Sequence, residues 1–352
     1  MDRLDPGICL TIATVPDVTA IAVSILASLR PTFFILADAT IRQQKCPNRS
    51  QDDIKATLFL MLIRDLLASR EPSISFEFFP PKTDEAAAQL QATIGELRAL
   101  YPTFVSVTWG AGGSTRDKTI DIVSHIKRDT GIEAMAHLTC VGSSRADLTA
   151  ILKHLTDAGV SNILALRGDP PKGETNFQPV ADGLRHGSEL VEFIRGSHGS
   201  RVSLGAAAYP ECHVECPDPA ADLQNLKRKV DAGADFLITQ LFYDNGYYWD
   251  FVERARAAGI TVPIIPGIMP ISNINQVGRF GAKLPPALET ELGHLRNDPQ
   301  AVQHLGVAHA TSQCVELLHR GAPGIHFYTL NRSTITRAIY SALRIQGLVP
   351  SH

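Results

Sequence analysis

Several short apolar runs in this chain end on residues able to do chemistry: Glu77, Thr108, His137, Arg167 with Asp169, Tyr209, Gln240, and Tyr328 with Asn331 and Arg332. Glu77 lies within Ser75-Phe76-Glu77-Phe78-Phe79-Pro80-Pro81. Burial among aromatic rings would raise its pKa and suit a general acid near neutral pH. A structural carboxylate paired with a buried arginine fits the same residues. In Arg167-Gly168-Asp169 the guanidinium could hold a phosphate, the glycine permits close backbone approach, and the aspartate adds fixed negative charge. A turn carrying a surface ion pair is the plainer reading of that tripeptide. Asp222, Asn225, Arg228 and Lys229 share one helix face opposite Leu223, Leu226 and Val230. Such a stripe is either a solvated face or a track for the polyol and diphosphate of a large cofactor. His137 and His326 sit in apolar runs, where an imidazole is more often hydrogen-bonded structure than ligand or base. No histidine pair has metal-ligand spacing, and neither a Ser-His-Asp set nor a phosphate loop can be read, so no metal is expected.

These residues need a frame that brings strand ends together. Runs rich in β-branched and aromatic residues recur at 74–78, 104–108, 133–138, 162–166, 202–207, 236–240, 262–265 and 325–328. Amphipathic helical patterns lie between most of them, at 83–100, 118–128 and 145–158. Thr83 is placed to cap the first, and Asp218-Pro219 opens a further helix that Gly233 closes. Strands alternating with helices predict βαβ units and a parallel sheet. Eight such units make a (β/α)₈ TIM barrel, whose sites gather at the C-terminal strand ends. An open doubly wound sheet would want a dinucleotide-binding glycine turn, and Gly110-Ala111-Gly112-Gly113 has the wrong spacing. The longer interval before the last strand reads as an insertion with helices on either side of Asn297-Asp298-Pro299.

The chain has 352 residues, 44% hydrophobic and 20% charged, which excludes a fibre, a secreted mini-protein and a polytopic membrane protein, and its net charge of −3 sets up no strong field to draw it to nucleic acid. Its six cysteines lack a framework spacing and read as reduced thiols. Residues 1–71 read poorly as part of any regular repeat, with a helix-like run at 54–68, and are taken as an irregular N-terminal extension to a catalytic barrel at 72–352. The apolar runs at 19–29 and 33–37 are too short to span a bilayer. Ala37-Asp38-Ala39 is similar to an export cleavage site, but Asp2 and Asp5 stand where a basic segment belongs, so a cytoplasmic location is expected.

The segments SFEFFPPK, FVSVTWGAGGSTR, AHLTC, LALRGDPP, AAYPE, DLQNLKRKVDAGADFLITQLFYD, PIIPGIMPISN and HFYTLNR occur in order between about Ser73 and Leu343. Together they resemble the methylenetetrahydrofolate reductases. The resemblance implies an FAD-binding (β/α)₈ barrel that reduces 5,10-methylenetetrahydrofolate to 5-methyltetrahydrofolate with NADH or NADPH, supplying methyl groups for methionine synthesis. It makes Glu77 the acid that protonates the folate N10, and places Asp169 by the flavin and the pterin. Thr108, Trp109, Ala111, His137, Arg167, Gly168, Gly187, Tyr209, His213 and Cys216 correspond to flavin contacts. Asp222, Asn225, Arg228 and Lys229 would hold the ribityl and diphosphate. Gln240, Gln276 and Arg332 match folate contacts, and Phe280 a ring that packs on either substrate. One shared pocket implies ping-pong kinetics. The family's habit implies a homo-oligomer, with neither membrane nor nucleic-acid partner. Gly187 and Cys216 stand where the family has alanine, 172–185 is not readily aligned, and 1–71 match nothing. The chain stops soon after the barrel, so the S-adenosylmethionine-binding regulatory domain of eukaryotic members is not expected. A proline dehydrogenase-like flavoenzyme has no reason to keep the SFEFF acid, and a binding protein without turnover none to keep Glu77, Asp169 and Gln240 together.

Overall fold

The computed structural model describes residues 61–69, 71–109, 116–169, 179–277 and 281–350, the first two of helix 116–130 by backbone alone. Its strands are β1 Ser73–Phe78, β2 Phe104–Val107, β3 Ala134–Thr139, β4 Asn162–Leu166, β5 Ser203–Ala208, β6 Phe236–Thr239, β7 Ile264–Ile265, β8 Gly267–Ile268 and β9 Gly324–Tyr328. All pair in parallel in one sheet of order β7-β6-β5-β4-β3-β2-β1-β9-β8. The two outermost strands of that order are one chain segment broken at Pro266. β7 pairs with β6, β8 pairs with β9, and Pro266, which has no N–H, still accepts from His326 N at 2.9 Å. The barrel therefore closes with eight staves, as the alternating runs predict. Its seventh stave starts two residues later than the apolar run at 262–265 and continues past the proline to Ile268.

The helices are α1 Ile63–Leu66, α2 Asp84–Arg98, α3 Arg116–Thr130, α4 Arg145–Asp157, α5 Gly187–His198, α6 Pro219–Asp231, α7 Asn245–Ala257, α8 Pro286–His294, α9 Pro299–His319 and α10 Thr334–Ile345. Thr83 caps α2 by accepting from Ala86 N at 3.2 Å, and Asp218 caps α6 by accepting from Ala220 N at 3.0 Å. Gly233, at φ +111°, ends the α6 turn where a side chain would be strained. Helices α8 and α9 form the expected insertion. They rest on the loops after β6 and β8 through Leu241, Tyr243, Met269, Ile271, Leu288, Leu292 and Val302.

Successive strand residues point to opposite faces, so each stave splits its side chains between the helices and the barrel interior. Ile74, Phe76 and Phe78 join Leu90, Ile94 and Leu97 of α2 in the outer core. The interior is apolar low down, where Phe104, Met135, Leu164, Phe236, Ile238 and Ile265 meet Ile63 of α1. Helix α1 closes this end of the barrel. Its first two free amides are received by barrel side chains, Ile63 N by Asn162 Oδ1 at 2.8 Å and Arg64 N by Ser203 Oγ at 3.1 Å. The interior turns polar higher up, through Ser75, Ser106 and His326 to Glu77 and His137.

Candidate active site

The C-terminal strand ends surround a cavity of about 550 Å³. Trp109 lines it from the β2 end, and Arg167, Gly168 and Asp169 from the β4 end. Tyr209, His213 and Cys216 come from the segment after β5, Gln240 from the end of β6, and Gly187 from the first turn of α5. The stripe Asp222, Asn225, Arg228 and Lys229 faces this cavity, so it is no merely solvated face. Thr108 lies one residue short of the lining, its backbone tied to Phe78 O and to the Thr119 hydroxyl. Ala111 and Phe280 fall outside the described residues. Gln276 and Arg332 are not brought to this cavity. The Gln276 amide accepts from Ser272 N and Oγ at 3.0 and 2.7 Å and donates to Pro270 O at 3.1 Å, and Arg332 is exposed on the turn after β9.

Gly168 has φ +88°, and a Cβ there would sit 2.5 Å from Val141 Cγ1 and 2.8 Å from Thr139 Cβ. The β4 turn thus needs a glycine both for its backbone and for the surface that it presses against β3. Gly187 is different: a Cβ would meet Arg167 N at 3.4 Å, an ordinary contact. Lys229 Nζ donates to Ala207 O at 2.8 Å and lies 5.6 Å above the Tyr209 ring, which meets His213 edge-on at 4.6 Å. Burial lowers the Lys229 ammonium to about 8 against a partial counter-effect of Asp222, and raises the Tyr209 phenol to about 12. Burial also raises Asp222 and lowers His213. Arg167 is held in a two-pronged ion pair by Glu215, at 2.5 and 2.7 Å, which keeps the arginine charged and draws the Glu215 carboxyl below its usual range. Nothing in the sequence singles out Glu215. It meets Arg167 only because the segment after β5 folds over the end of β4.

Glu77 lies below the cavity, and its surroundings correct the expectation drawn from its neighbours in sequence. Phe76 and Phe78 point outward to the helices, as strand alternation requires, while Glu77 points inward. There its Oε2 lies 3.2 Å from His137 Nε2 and 3.5 Å from His326 Nε2. Burial alone would raise this carboxyl, but His137 and His326 together outweigh it and hold it at about 2. The partner is a pair of imidazoles, not an arginine. His326 is itself fixed by Ser75 Oγ, 2.7 Å from Nδ1, and stacks on Phe104 with ring centroids 5.9 Å apart. His137 Nε2 approaches Glu77 without the alignment of a good hydrogen bond. Thr139, two residues above it on the inward face of β3, lines the cavity and also holds a buried hydroxyl without a partner.

A family model described as methylenetetrahydrofolate reductase matches residues 62–344. The 5,10-methylenetetrahydrofolate reductase of Escherichia coli (strain K12) is 40% identical over 278 residues, covering 78% of this chain and 91% of that protein. Methylenetetrahydrofolate reductase (NADH) 1 of Arabidopsis thaliana is 39% identical over 282 residues, 76% of this chain and 48% of the relative. The chain thus spans about half the length of the plant relatives that it matches. A Clostridium thermocellum protein that binds two copies of 5-methyl-5,6,7,8-tetrahydrofolic acid superposes with a TM-score of 0.58 at 18% identity, covering 82% of this chain and 100% of that one. That likeness is one of fold.

Proposed function

Since the chain belongs to the methylenetetrahydrofolate reductase family, we propose that it reduces 5,10-methylenetetrahydrofolate to 5-methyltetrahydrofolate with NADH or NADPH, holding FAD in the cavity at the barrel mouth. The cavity residues suit such a cofactor. The orphaned hydroxyl of Thr139 points to a ligand with hydrogen-bonding edges, and Gly168, pressed against Thr139 and Val141, holds the β4 end beside it. Arg167, Arg228, Lys229 and the first turn of α5 supply positive potential for a diphosphate, with Asn225 beside them for a polyol. Trp109 and Tyr209 offer flat apolar surface. When bound, FAD supplies the two-electron chemistry that links nicotinamide and folate in turn.

The chain's own part is to position both substrates and to handle one proton. Gln240 and Asp169 face the same cavity and orient the folate, an amide and a carboxylate suiting its polar pterin edge. Glu77 supplies the proton to N10. Because it is ionised at rest, Glu77 must itself take up a proton before it can serve as the donor. Displacement of water by a bound ligand favours that protonation, since a drier site favours the neutral carboxyl. The contact between Glu77 and His137 just under the cavity carries this reading.

An anaerobic visible titration tests it. Addition of NADH or NADPH to the FAD-loaded protein should bleach the flavin band, and methylenetetrahydrofolate should restore it. A band that the folate cannot restore would favour another flavoenzyme, and failure to take up FAD would overturn the reading altogether.

A further inference from the structure

We propose that the hydroxyl of Thr139 is a further hydrogen-bonding group for the bound flavin, an inference that rests on the flavin reading above. Thr139 is the last residue of β3 and is 7% exposed. It shares the inward face with His137 and lines the cavity beside Gly168. Its Cβ and Cγ2 back onto the bare Cα of Gly168, where an added Cβ would come within 2.8 and 3.2 Å of them. The methyl is therefore used in packing, and Oγ1 is the substituent left over. That oxygen is buried with no hydrogen-bond partner. A buried hydroxyl left unpaired is destabilising, and a valine would fill the same space without that cost. A threonine here is best explained by a partner that arrives with the ligand. Thr139 ends β3, as Trp109 and Gln240 follow the ends of β2 and β6, whereas Asn225 and Arg228 line the cavity from α6. The polar edge of the flavin ring, rather than the diphosphate, is therefore the group that it meets.

The test compares wild type, Thr139→Val and Thr139→Ser by FAD affinity, visible flavin spectrum and melting temperature of the FAD-free protein. Thr139→Val should weaken FAD about three- to tenfold, the size of one neutral hydrogen bond, and perturb the flavin spectrum. Its FAD-free melting temperature should stay level or rise, and Thr139→Ser should restore the affinity. Unchanged affinity and spectrum in the valine variant would overturn the proposal. A matching fall in the FAD-free melting temperature would make Thr139 a packing residue and overturn it as well. Failure of the wild type itself to bind FAD would be recognised at once, and would remove the flavin reading and this inference together.

Discussion

Glu77 Oε2 and His137 Nε2 approach to 3.2 Å from neighbouring regions of the barrel interior, yet the two are not aligned for a hydrogen bond. The site gains a carboxylate that is ionised at rest close beside two imidazoles, those of His137 and His326. Replacing the carboxylate by an amide keeps the shape and removes both charge and proton. Glu77→Gln should retain FAD binding and oxidation of the nicotinamide, while folate reduction falls on the order of 10²–10⁴-fold, the range of a lost general acid. Stopped-flow measurement of the two half-reactions separates these effects. Folate turnover near the wild-type rate would remove Glu77 from the proton path.

The same contact sets a pH dependence of stability. The Glu77 carboxyl is held at about 2 in the folded protein against an ordinary 4.5. A depressed pKa means that the folded state binds the proton less readily than the unfolded chain. Its stabilising contribution is therefore full above about 4.5 and is lost as pH falls toward about 2. Urea unfolding of the wild type and Glu77→Gln across this window should show a steeper loss in the wild type. Parallel curves would mean that the histidines do not favour the ionised form.

The eight staves, their caps and the inserted helices were legible in the sequence because each depends on local pattern. Thr83, Asp218 and Gly233 act where their residue types suggest. The electrostatics of Glu77 were not legible, for a definite reason. Its neighbours in sequence, Phe76 and Phe78, face the helices, while the groups that decide its charge come from β3 and β9. His137 and His326 each resemble a bland core histidine when read alone. Glu215 was likewise invisible, since its pairing with Arg167 joins two loops 48 residues apart. The α6 stripe carried its information in spacing, but only closure of the barrel shows that the stripe faces a cavity rather than water.

Two glycines at the cavity should respond oppositely to the same added methyl. Gly168→Ala forces a side chain into a left-handed backbone and against Val141 and Thr139. It should cost about 2–4 kcal/mol of stability and weaken FAD with it. Gly187→Ala meets only ordinary contact at 3.4 Å and begins a helix, so stability should hold or rise by a few tenths of a kcal/mol. Urea denaturation of both variants decides the matter. Equal effects would mean that the β4 turn relaxes freely around an added side chain.

The lower end of the barrel makes the last prediction, because it tests whether α1 belongs to the folded unit or merely precedes it. Ile63 is fully buried among Phe104, Met135, Leu164, Phe236, Ile238 and Ile265, residues from strands all around the barrel. Its backbone amide is held by Asn162 Oδ1, while Asn162 Nδ2 donates to Met61 O at 3.1 Å and to Glu133 Oε1 at 2.7 Å. Arg64 adds bonds to Val202 O and Ser200 O at 3.0 and 2.6 Å. A plug tied this firmly cannot shift to fill a void. Ile63→Ala should therefore leave a cavity and cost about 2–5 kcal/mol, as for other large-to-small changes in a rigid core. The effect should appear in urea denaturation of the full chain with FAD affinity at pH 7 little changed, because the plug and the cofactor cavity lie at opposite ends of the staves. A loss under about 0.5 kcal/mol, the scale of a surface substitution, would show that α1 only rests on a barrel complete without it.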